Sequence, residues 1–563
     1  MWNARSHSGS GQDRGLEFAA ALLCLMWSGH LGFAARLPDP LSCAAPECGY
    51  VYRFWSPVYA RYLYAATEAE KEAILYEQGP LWTYQCVAWR AWPPQADPNL
   101  RPVYRFWSQA RAAHYYTISE AERDYGLWTD LSEIWQYQGV AFYAYPAGLQ
   151  PSGAWPVHRL RSDAAEGHLY TAFEAEREGL TCGDSPAWIY DTVAWYVCPA
   201  EPFPAPSIVK GPYLLWPGAD SVTVVWQTDV PATGRVEIGR LSPDESLVED
   251  ARPVTLHKMA LTGLDPDATY LYRLTSGEVP GPTGTFKTAP DTEQSFRFAV
   301  HGDTQSSPDV HALVSQAMAS NLPDIVFHTG DLVEYGMNYD QWGPGFFTPA
   351  AEVTRDIPFV PVPGNHECWG SGPQWFNYFF DSRCPGGWWA LTYGAVRFIG
   401  LNTNLDHAPG SEQYEWLLSE LESPEARKAL WRVVFLHYPP YTWTAGHTDA
   451  MAVQTDLVPL FEQHAVAAVF SGHSHAYERY ASRGICYVVN GGGGAPLYDL
   501  VADATVPIRE FGASVHHHCI VDVDMDSRVL RLQAVDTEGQ VFDRAEIRGG
   551  HCPGLAGKEQ VGE

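Results

Sequence analysis

Three features that would indicate common protein classes are scarce or absent in this 563-residue sequence. Basic side chains are few: Lys and Arg number 36 against 66 Asp and Glu, giving a formal net charge of −30, and no basic patch offsets it. Such a surface repels polyanions, which argues against nucleic-acid binding. No apolar run reaches the ~20 residues that a membrane-spanning helix needs. No cysteine pair has CxxC spacing, which argues against a cysteine metal site.

What the sequence does contain is the composition of a folded, aromatic protein. Hydrophobic residues make up 46% of the chain and charged residues 18%, with 22 Trp and 31 Tyr. This composition predicts an ordered chain. The length exceeds one hydrophobic core, and at ~150 residues per domain it predicts three or four units.

The N-terminus is typical of a secretion signal. Arg5 and Arg14 precede an apolar run over residues 18–27, and small residues follow around Gly32. We predict a signal peptide over residues 1–35 and a secreted protein, extracellular or periplasmic. The apolar run is too short for a membrane span.

Export makes disulfides plausible, because cysteines oxidise outside the cytosol. Removal of Cys24 with the signal leaves an even number of cysteines. The preferred pairs are Cys368 with Cys384, which bracket one loop, and Cys182 with Cys198. The alternative, that several are buried free thiols, stays open.

An internal repeat follows over residues 43–200. VYRFW begins at Val51 and again at Val103, and a weaker VHRL copy begins at Val157. Each copy continues through an aromatic strand, an acidic helix start and a Trp-containing strand, which predicts a β-rich module of pseudo-threefold symmetry. Its aromatic residues form the core of the module or stack on a cell-wall or polysaccharide ligand.

A Pro-rich linker leads into a segment of short strands. SVTVVWQT (221–228) and ATYLYRLTS (268–276) alternate apolar and polar residues and are separated by turn-forming sequence. Residues 207–290 are similar to an all-β domain of the fibronectin type III kind. No catalytic constellation lies in it, which favours a spacing or docking role.

Residues 295–547 alternate strand and helix patterns, and a tail of residues 548–563 follows. Five near-continuous apolar runs are each followed directly by polar side chains, as expected of strands buried on both faces. Carboxyl ends of parallel strands meet at one edge of an α/β sheet, so these side chains should converge. The runs end in the motifs GDTQ at Asp303, GDLVEY at Asp331, GNHE at Asn365, FLHYPP at His437 and GHSHAYER at His473.

The residue types at these strand ends suit two borderline-to-hard metal ions. They offer carboxylate oxygen, amide oxygen and imidazole nitrogen, with no thiolate. A carboxylate that bridges two ions holds them ~3.5–4 Å apart, which activates a shared water and clamps the phosphoryl oxygens of an in-line displacement.

The five motifs in this order resemble the calcineurin-like metallophosphoesterases, and among them the purple acid phosphatases. The resemblance, which also covers the fibronectin-like segment, implies a four-layer α/β sandwich. It assigns Asp303, Asp331 and His475 to one metal ion, and Asp331, Asn365, His437 and His473 to the other. It assigns His366 to protonating the leaving oxygen and His447 to contacting the phosphate.

The chain departs from the purple pattern at two positions. The tyrosine that ligates ferric iron should come three residues after Asp331, where Glu334 stands, with Tyr335 one position further on. Gln305 stands where other branches carry a metal-binding histidine, and its amide oxygen is a candidate weak ligand. We therefore expect two divalent or mixed-valence ions, Zn, Mn or Fe, and doubt the Fe(III)-tyrosinate form.

Three neighbouring features have structural interpretations. Glu478 and Arg479 are expected to pair with each other. His516–His518 are expected to straddle core and surface on an alternating strand. The glycines from Gly491 to Gly494 either present N–H groups to a phosphate or let a loop pass close to the site.

The predicted function is a secreted phosphoesterase of the acid phosphatase kind, in which a metal-bridging hydroxide attacks a phosphate monoester. Two alternatives remain open. One is a phosphodiesterase of the same superfamily, and the other is a surface-binding protein whose enzymatic domain has lost its activity. The six strand-end ligands are all present, which favours an enzyme.

Overall fold

The computed structural model describes residues 49–548 except 57–58, 60, 79–80, 93–96, 129–133, 163–166, 182–187, 199–204, 292, 370–372, 381–385, 446–449 and 502–508. The predicted signal peptide and tail therefore lie outside the described residues. The chain forms two compact units, with the boundary after residue 204. In the described parts of the chain, no helix has the length and apolar character to cross a membrane.

The first unit contains three small antiparallel sheets with the same strand arrangement. Their orders are β2-β1-β3, β5-β4-β6 and β8-β7-β9. A helix follows the second strand of each sheet: Glu68–Gln78, Glu120–Trp128 and Glu174–Thr181. The strands are β1 (Gly49–Ser56), β2 (Arg61–Ala65), β3 (Thr83–Ala91), β4 (Arg101–Ser108), β5 (Ala113–Thr117), β6 (Gln136–Ala144), β7 (Trp155–Ser162), β8 (Gly167–Thr171) and β9 (Ile189–Val197).

A ring of three buried tyrosines joins these sheets at their common core. The Tyr64 hydroxyl donates to the Tyr170 carbonyl at 2.5 Å, that of Tyr116 to Tyr64 at 3.1 Å, and that of Tyr170 to Tyr116 at 2.7 Å. Each hydroxyl also accepts the backbone N–H of the residue whose carbonyl it contacts. The cycle satisfies buried backbone groups that each five-residue inner strand leaves unpaired.

Replacing Tyr116 with phenylalanine is expected to lower the free energy of unfolding of this unit by about 2–6 kcal/mol. The change keeps the ring but leaves the buried N–H and carbonyl of Tyr64 without their hydroxyl partner, at ~1–3 kcal/mol each. Differential scanning calorimetry of the full chain measures the shift. Tyr125→Phe is the matched control because Tyr125 is 62% exposed. A transition unchanged in Tyr116→Phe contradicts the role of the ring.

The second unit contains two large sheets. The first runs β14-β13-β11-β10-β17-β16-β15-β25-β26-β27, with β12 paired to β11, and the second runs β18-β19-β20-β21-β23-β22-β24. The strands are β10 (Ile208–Leu215), β11 (Ser221–Gly239), β12 (Ser246–Thr262), β13 (Thr269–Ser276), β14 (Val279–Lys287), β15 (Phe296–His301), β16 (Ile325–His328), β17 (Phe359–Pro361), β18 (Trp389–Tyr393), β19 (Val396–Gly400), β20 (Trp431–Phe435), β21 (Ala468–Ser471), β22 (Tyr477–Ser482), β23 (Ile485–Asn490), β24 (Arg509–Ala513), β25 (His517–Asp524), β26 (Val529–Asp536) and β27 (Val541–Ile547).

Helices lie between these strands, in agreement with the predicted alternation of strands and helices. The described helices of this unit are Pro308–Ala319, Tyr339–Trp342, the π-helix Gly343–Phe347, Ala351–Thr354, Asn365–Cys368, Gln374–Phe380, Glu412–Leu421, Pro424–Lys428, Met451–Asp456 and Val458–Gln463. The chain is therefore multidomain, with small antiparallel sheets followed by a mixed α/β sandwich.

The two large sheets pack face to face through phenylalanine side chains. Phe327 of β16 lies 4.3 Å from Phe435 of β20 between ring centroids, and Phe298 of β15 lies 5.2 Å from Phe398 of β19. All four rings are buried. This aromatic layer fixes the two sets of parallel strands so that their carboxyl ends open on one edge.

The antiparallel strands β10–β14 are continuous with the first large sheet. Leu215 of β10 pairs in parallel with Phe359 of β17. The segment that resembles a fibronectin type III domain therefore extends the same sheet that carries three of the metal-ligand motifs.

Candidate metal centre

Each predicted strand is present and places its motif at one edge of the sandwich. β15, β16 and β17 are parallel neighbours and precede Asp303, Asp331 and Asn365. β20 and β21 are parallel neighbours in the facing sheet and precede His437 and His473. Residues far apart in the sequence therefore meet because their strands end together.

The backbone at three of these positions adopts the left-handed conformation that side chains other than glycine rarely take. The φ angles are 59° at Asp303, 59° at Asp331 and 68° at His473. Such conformations cost of order 1–3 kcal/mol and persist where the surroundings enforce them, often at functional sites. Here the Asp303 N–H donates to the Gly330 carbonyl at 3.0 Å, which locks two ligand turns together.

Asp331, Asn365, His437 and His473 converge as the first ligand group. The Asn365 Oδ1 atom lies 2.9 Å from His437 Nε2 and 3.0 Å from His473 Nδ1. The Asp331 Oδ2 atom lies 3.3 Å from His437 Nε2. Ligand atoms of Asp331, His437 and His473 all fall within 4.8 Å of one another. All four residues predicted for this ion are therefore brought together.

The orientation of His437 turns a lone pair toward this group. Its Nδ1 atom lies 2.9 Å from the Thr329 carbonyl, an acceptor, so Nδ1 carries the proton. With Nε2 unprotonated, the ring would present its lone pair to the space that the Asn365 and Asp331 oxygens also face, as a metal ligand does. Second contacts of this kind orient metal-binding histidines.

Asp303, Gln305 and His475 form a second group next to Asp331. The His475 Nε2 atom lies 3.7 Å from Asp303 Oδ1 and 3.3 Å from Gln305 Nε2, which is also 3.4 Å from Asp331 Oδ2. Two buried oxygens here, Asp303 Oδ2 and Gln305 Oε1, have no hydrogen-bond partner among the described residues. Since buried polar atoms are nearly always paired, these orphaned acceptors fit a bound cation.

The carboxylates and His437 shift one another's pKa values because they are buried together. Burial alone lowers the pKa of His437, but the Asp331 and Asp303 carboxylates outweigh burial and raise it to about 9. Burial likewise raises the pKa of Asp331, but His437 and His366 outweigh it and lower it to about 2. Burial holds the pKa of Asp303 well above its usual range. The carboxylates and His437 are therefore electrostatically coupled in one buried cluster, to which bound metal ions would add positive charge.

Glu367 is a functional residue that sequence reasoning left without a role. Its buried carboxylate accepts N–H groups from Asp331 and Leu332 at 2.9 Å each, and from Gly364 at 2.9 Å. It thereby ties the turn carrying Asp331 to the turn carrying Asn365. Burial and the Asp331 charge raise the pKa of Glu367 to about 7. The GNHE motif contained the signal, since a Glu at this helix position often caps backbone N–H groups.

His366 lies at the rim of the cluster. Its Nδ1 atom is 2.6 Å from the Glu334 carbonyl, and its Nε2 atom is 3.8 Å from Asp331 Oδ2. The Trp369 ring packs against it, with centroids 4.1 Å apart. Trp369 therefore covers one face of the imidazole, and Nε2 points toward the ligand group. His366 is not one of the residues whose ligand atoms converge.

Tyr335 does not occupy the iron-ligand position. Its side chain is 54% exposed and its ring lies 6.5 Å from the ring of Trp369. Glu334, which stands where the ligand tyrosine was expected, accepts a short hydrogen bond from the Ser306 hydroxyl.

Three residues with predicted roles, His447, Cys182 and Cys384, lie outside the described residues. Cys198 is disulfide-bonded to a partner outside them. The predicted pairing of Cys368 with Cys384 is wrong, because Cys368 carries a half-buried free thiol that lies 4.0 Å from Asn402 Oδ1.

The predicted pairing of Glu478 with Arg479 is also wrong. Glu478 Oε2 accepts from Arg509 at 2.7 Å, and Arg479 donates to Asp543 at 2.7 Å. The two residues are consecutive in β22, so their side chains point to opposite faces of the sheet.

The histidine tract and the glycine loop are structural features behind the ligands. His517 and His518 are fully buried because β25 is covered on both faces, and His516, just before the strand, is half-buried. A Cβ atom at Gly491 would lie 2.1 Å from the Ser474 carbonyl and 3.1 Å from Asp303 Oδ2. Glycine there lets the loop pass directly behind a predicted ligand.

Comparison with known proteins places this geometry in context. Residues 296–477 match the calcineurin-like phosphoesterase family, and residues 50–198 match a domain of unknown function, DUF5648. An uncharacterised Mycobacterium tuberculosis protein is 28% identical over 270 residues, covering 40% of this chain and 51% of that protein. Purple acid phosphatase 23 of Arabidopsis thaliana is 24% identical over 283 residues, covering 43% of this chain and 60% of the relative.

The chain thus spans only about half to three fifths of the length of these curated relatives. A solved purple acid phosphatase from yellow lupin seeds has the same fold, with a TM-score of 0.54 at 22% identity. The alignment covers 66% of this chain and 82% of the lupin chain.

Proposed function

We propose that this chain, a calcineurin-like metallophosphoesterase with purple acid phosphatases among its homologues, hydrolyses phosphate esters with the help of two metal ions. The observation that carries the proposal is the convergence of oxygen and nitrogen acceptors that face one another. Asn365 Oδ1 and Asp331 Oδ2 both lie within 3.3 Å of the same nitrogen, His437 Nε2. Carboxylate and amide oxygens that converge with imidazole nitrogens are the donor set that borderline divalent cations take.

Two ligand sets follow from the contacts. Asn365, His437 and His473 would hold one ion, and Asp303, His475 and Gln305 the other. Asp331 would bridge them, because its Oδ2 atom faces His437 on one side and Gln305 on the other. The donor types favour Zn, Mn or Fe, in a divalent or mixed-valence pair.

Bound ions would supply Lewis acidity, which activates water and offsets the negative charge of a phosphoryl group. The protein's own residues orient and protonate the substrate. His366 keeps Nδ1–H on the Glu334 carbonyl, so in its protonated form the second proton sits on Nε2 and faces the ligand group. That proton can pass to the departing ester oxygen.

The preferred substrate is a phosphate monoester, and the diester remains the competing possibility. The net charge of −30 disfavours polyanionic substrates, which supports a small ester. The test is hydrolysis of 4-nitrophenyl phosphate against bis(4-nitrophenyl) phosphate by the purified full chain. Faster hydrolysis of the monoester is expected. Activity confined to the diester would overturn the phosphatase assignment, and activity on neither would support a non-catalytic protein.

The remaining regions are assigned subordinate roles in this proposal. Residues 1–35 would direct export, and residues 207–290 would serve as a fibronectin-like support. The continuity of β10 with β17 supports this role, because it ties the support to the sheet bearing Asp303 and Asp331.

Replacing Gln305 with alanine is expected to lower the metal content from two ions per chain toward one and the activity about 10–100-fold. The change removes the orphaned Oε1 atom from the second ligand group and leaves the first group intact. Losses of this size are typical when a metal site loses a supporting group. Elemental analysis alongside hydrolysis of 4-nitrophenyl phosphate measures both effects.

Gln305→His is the matched variant, since imidazole is a stronger ligand and should retain two ions. Metal content that stays at two in Gln305→Ala would remove Gln305 from the ligand set.

A further inference from the structure

A cleft of about 320 Å³ lies in the first unit between the sheet β2-β1-β3 and the sheet β5-β4-β6. Its aromatic wall includes Tyr59 and Trp82 from one sheet region, and Trp107 and His114 from the other. The Trp107 and His114 rings are 4.6 Å apart, Trp82 lies 6.1 Å from His114, and Tyr59 lies 6.1 Å from Trp82. The rings form one continuous surface across the junction of the two sheets.

Polar groups line the same cleft. Glu70 Oε1 accepts a 2.5 Å hydrogen bond from Arg105 Nη1 across the junction. The side chains of this pair are 28% and 20% exposed, so both reach solvent through the cleft. His114 Nδ1 and Arg105 Nε are buried and have no hydrogen-bond partner within the described part of this unit. Burial and the nearby Arg105 charge lower the pKa of His114 to about 3, so its ring is neutral at neutral pH.

The charges inside the cleft therefore cancel. An anionic ligand would compete with Glu70 for Arg105, and a cationic ligand would compete with Arg105 for Glu70. A ligand with hydroxyl groups meets no such competition, because each hydroxyl both donates and accepts. A carboxylate beside a guanidinium matches two adjacent hydroxyls.

The next junction along the chain shows why this one is open. Arg159 and Glu122 pair there at 3.3 Å, as Arg105 and Glu70 do here. Tyr115 covers that pair: its hydroxyl donates to Glu122 at 2.6 Å and accepts from Arg159 at 2.7 Å. Tyr115 lies opposite Phe106 in the second sheet, and Leu63 lies opposite Phe54 in the first.

Leu63 therefore occupies the same position in the first sheet as Tyr115 does in the second. There, the Tyr115 hydroxyl contacts the Glu122–Arg159 pair. Because leucine has no hydroxyl, it makes no such hydrogen bond to the Glu70–Arg105 pair, and a hydroxyl of a ligand can make it instead. The second junction thus displays, within the protein itself, the hydroxyl contact that a ligand would make at the first.

We propose that this cleft binds one neutral pyranose ring of a polysaccharide. The C–H face of the sugar would pack on the aromatic wall. Its hydroxyls would hydrogen-bond to Glu70 and Arg105, as the Tyr115 hydroxyl does to Glu122 and Arg159 at the next junction. The volume lies at the low end of the ~300–1,000 Å³ of small-molecule pockets, which suits a single ring. The site is independent of the metal centre.

The test is retention of the full chain on insoluble cellulose, chitin and mannan, with the affinity for the retaining polymer measured by depletion. The wild-type protein is expected to bind at least one of these neutral polymers. Leu63→Tyr copies the residue of the second sheet, so it should fill the cleft without loss of folding and weaken binding at least tenfold. Glu70→Gln, which keeps the shape of the cleft but breaks the ion pair, should also weaken it.

Leu63→Met is the matched control, since it conserves volume and adds no hydroxyl, and Tyr125→Ala controls for retention by exposed aromatic rings. Both should bind as the wild type does, and near-UV circular dichroism checks folding of every variant. Failure of the wild type to bind any neutral polymer, retention only on an anionic polymer, or equal binding by folded Leu63→Tyr would overturn the proposal.

Discussion

Replacing Asp331 with asparagine is expected to remove both metal ions and to lower phosphoesterase activity at least about 1,000-fold, or about 4 kcal/mol of transition-state stabilisation. Asp331 is the residue whose carboxylate contacts both ligand groups, through His437 at 3.3 Å and Gln305 at 3.4 Å. An amide has one acceptor oxygen and no charge, so it cannot bridge two cations as a carboxylate does.

The variant should fold normally, which makes the result interpretable. The Asp331 Oδ1 atom accepts the His366 N–H at 2.9 Å, and an asparagine carbonyl oxygen can keep that bond. Asp309→Asn, at the start of the helix Pro308–Ala319, is the matched control and should retain two ions and full activity. Two ions bound to Asp331→Asn, or activity within a few-fold of the wild type, would remove Asp331 from the bridging role.

Replacing His366 with asparagine is expected to lower activity on an alkyl phosphate about 100-fold or more, and on 4-nitrophenyl phosphate less than tenfold. General acids contribute ~10²–10⁴-fold where the leaving group needs a proton. An alkoxide needs that proton, whereas 4-nitrophenolate leaves readily without it. Parallel assays with glycerol phosphate and 4-nitrophenyl phosphate measure the two losses.

Metal content distinguishes this role from a ligand role. His366 contacts the Glu334 carbonyl and stacks on Trp369, and its Nε2 atom is 3.8 Å from the nearest Asp331 oxygen. The variant should therefore still bind two ions. Equal losses on both substrates would argue against proton donation, and loss of an ion would make His366 a ligand.

The convergence of the predicted ligands could be expected from the sequence because each motif directly follows a strand, whereas their assignment to two ions rests on the family resemblance. Strand direction and burial place carboxyl ends at one sheet edge, so Asp303, Asn365 and His437 could be expected to meet before any contact was known. The predicted strands all appear, and six ligands on five separate segments lie together. The role of His447 stays a prediction, because that residue lies outside the described part of the chain.

The contacts around the ligands could not be predicted in the same way. Glu367 is one residue among several in a short helix, and its role depends on the N–H groups of a turn about 35 residues earlier in the chain. The Cys368 thiol depends on Asn402, on a separate segment. These partners are set by tertiary packing, which the spacing of a single motif does not encode.

The alternation of side chains along a strand, by contrast, is a simple rule, and it excludes the predicted pair of Glu478 with Arg479. The two residues are neighbours on a strand, which places them on opposite faces. The burial of both His517 and His518 was harder to foresee, because an alternating pattern does not reveal that both faces of β25 are covered. The join between β10 and β17 rests on the pairing of Leu215 with Phe359, which no sequence pattern marks.

The proposed phosphoester hydrolysis requires two metal ions held by the strand-end residues. Its most direct test is the activity of the chelator-treated full chain on 4-nitrophenyl phosphate as Zn²⁺, Mn²⁺ or Fe²⁺ is added in measured equivalents. We expect no activity before addition and, with at least one of these metals, a rise that saturates at two equivalents per chain. Activity that survives chelation, or that saturates at one equivalent, would contradict the two-metal account.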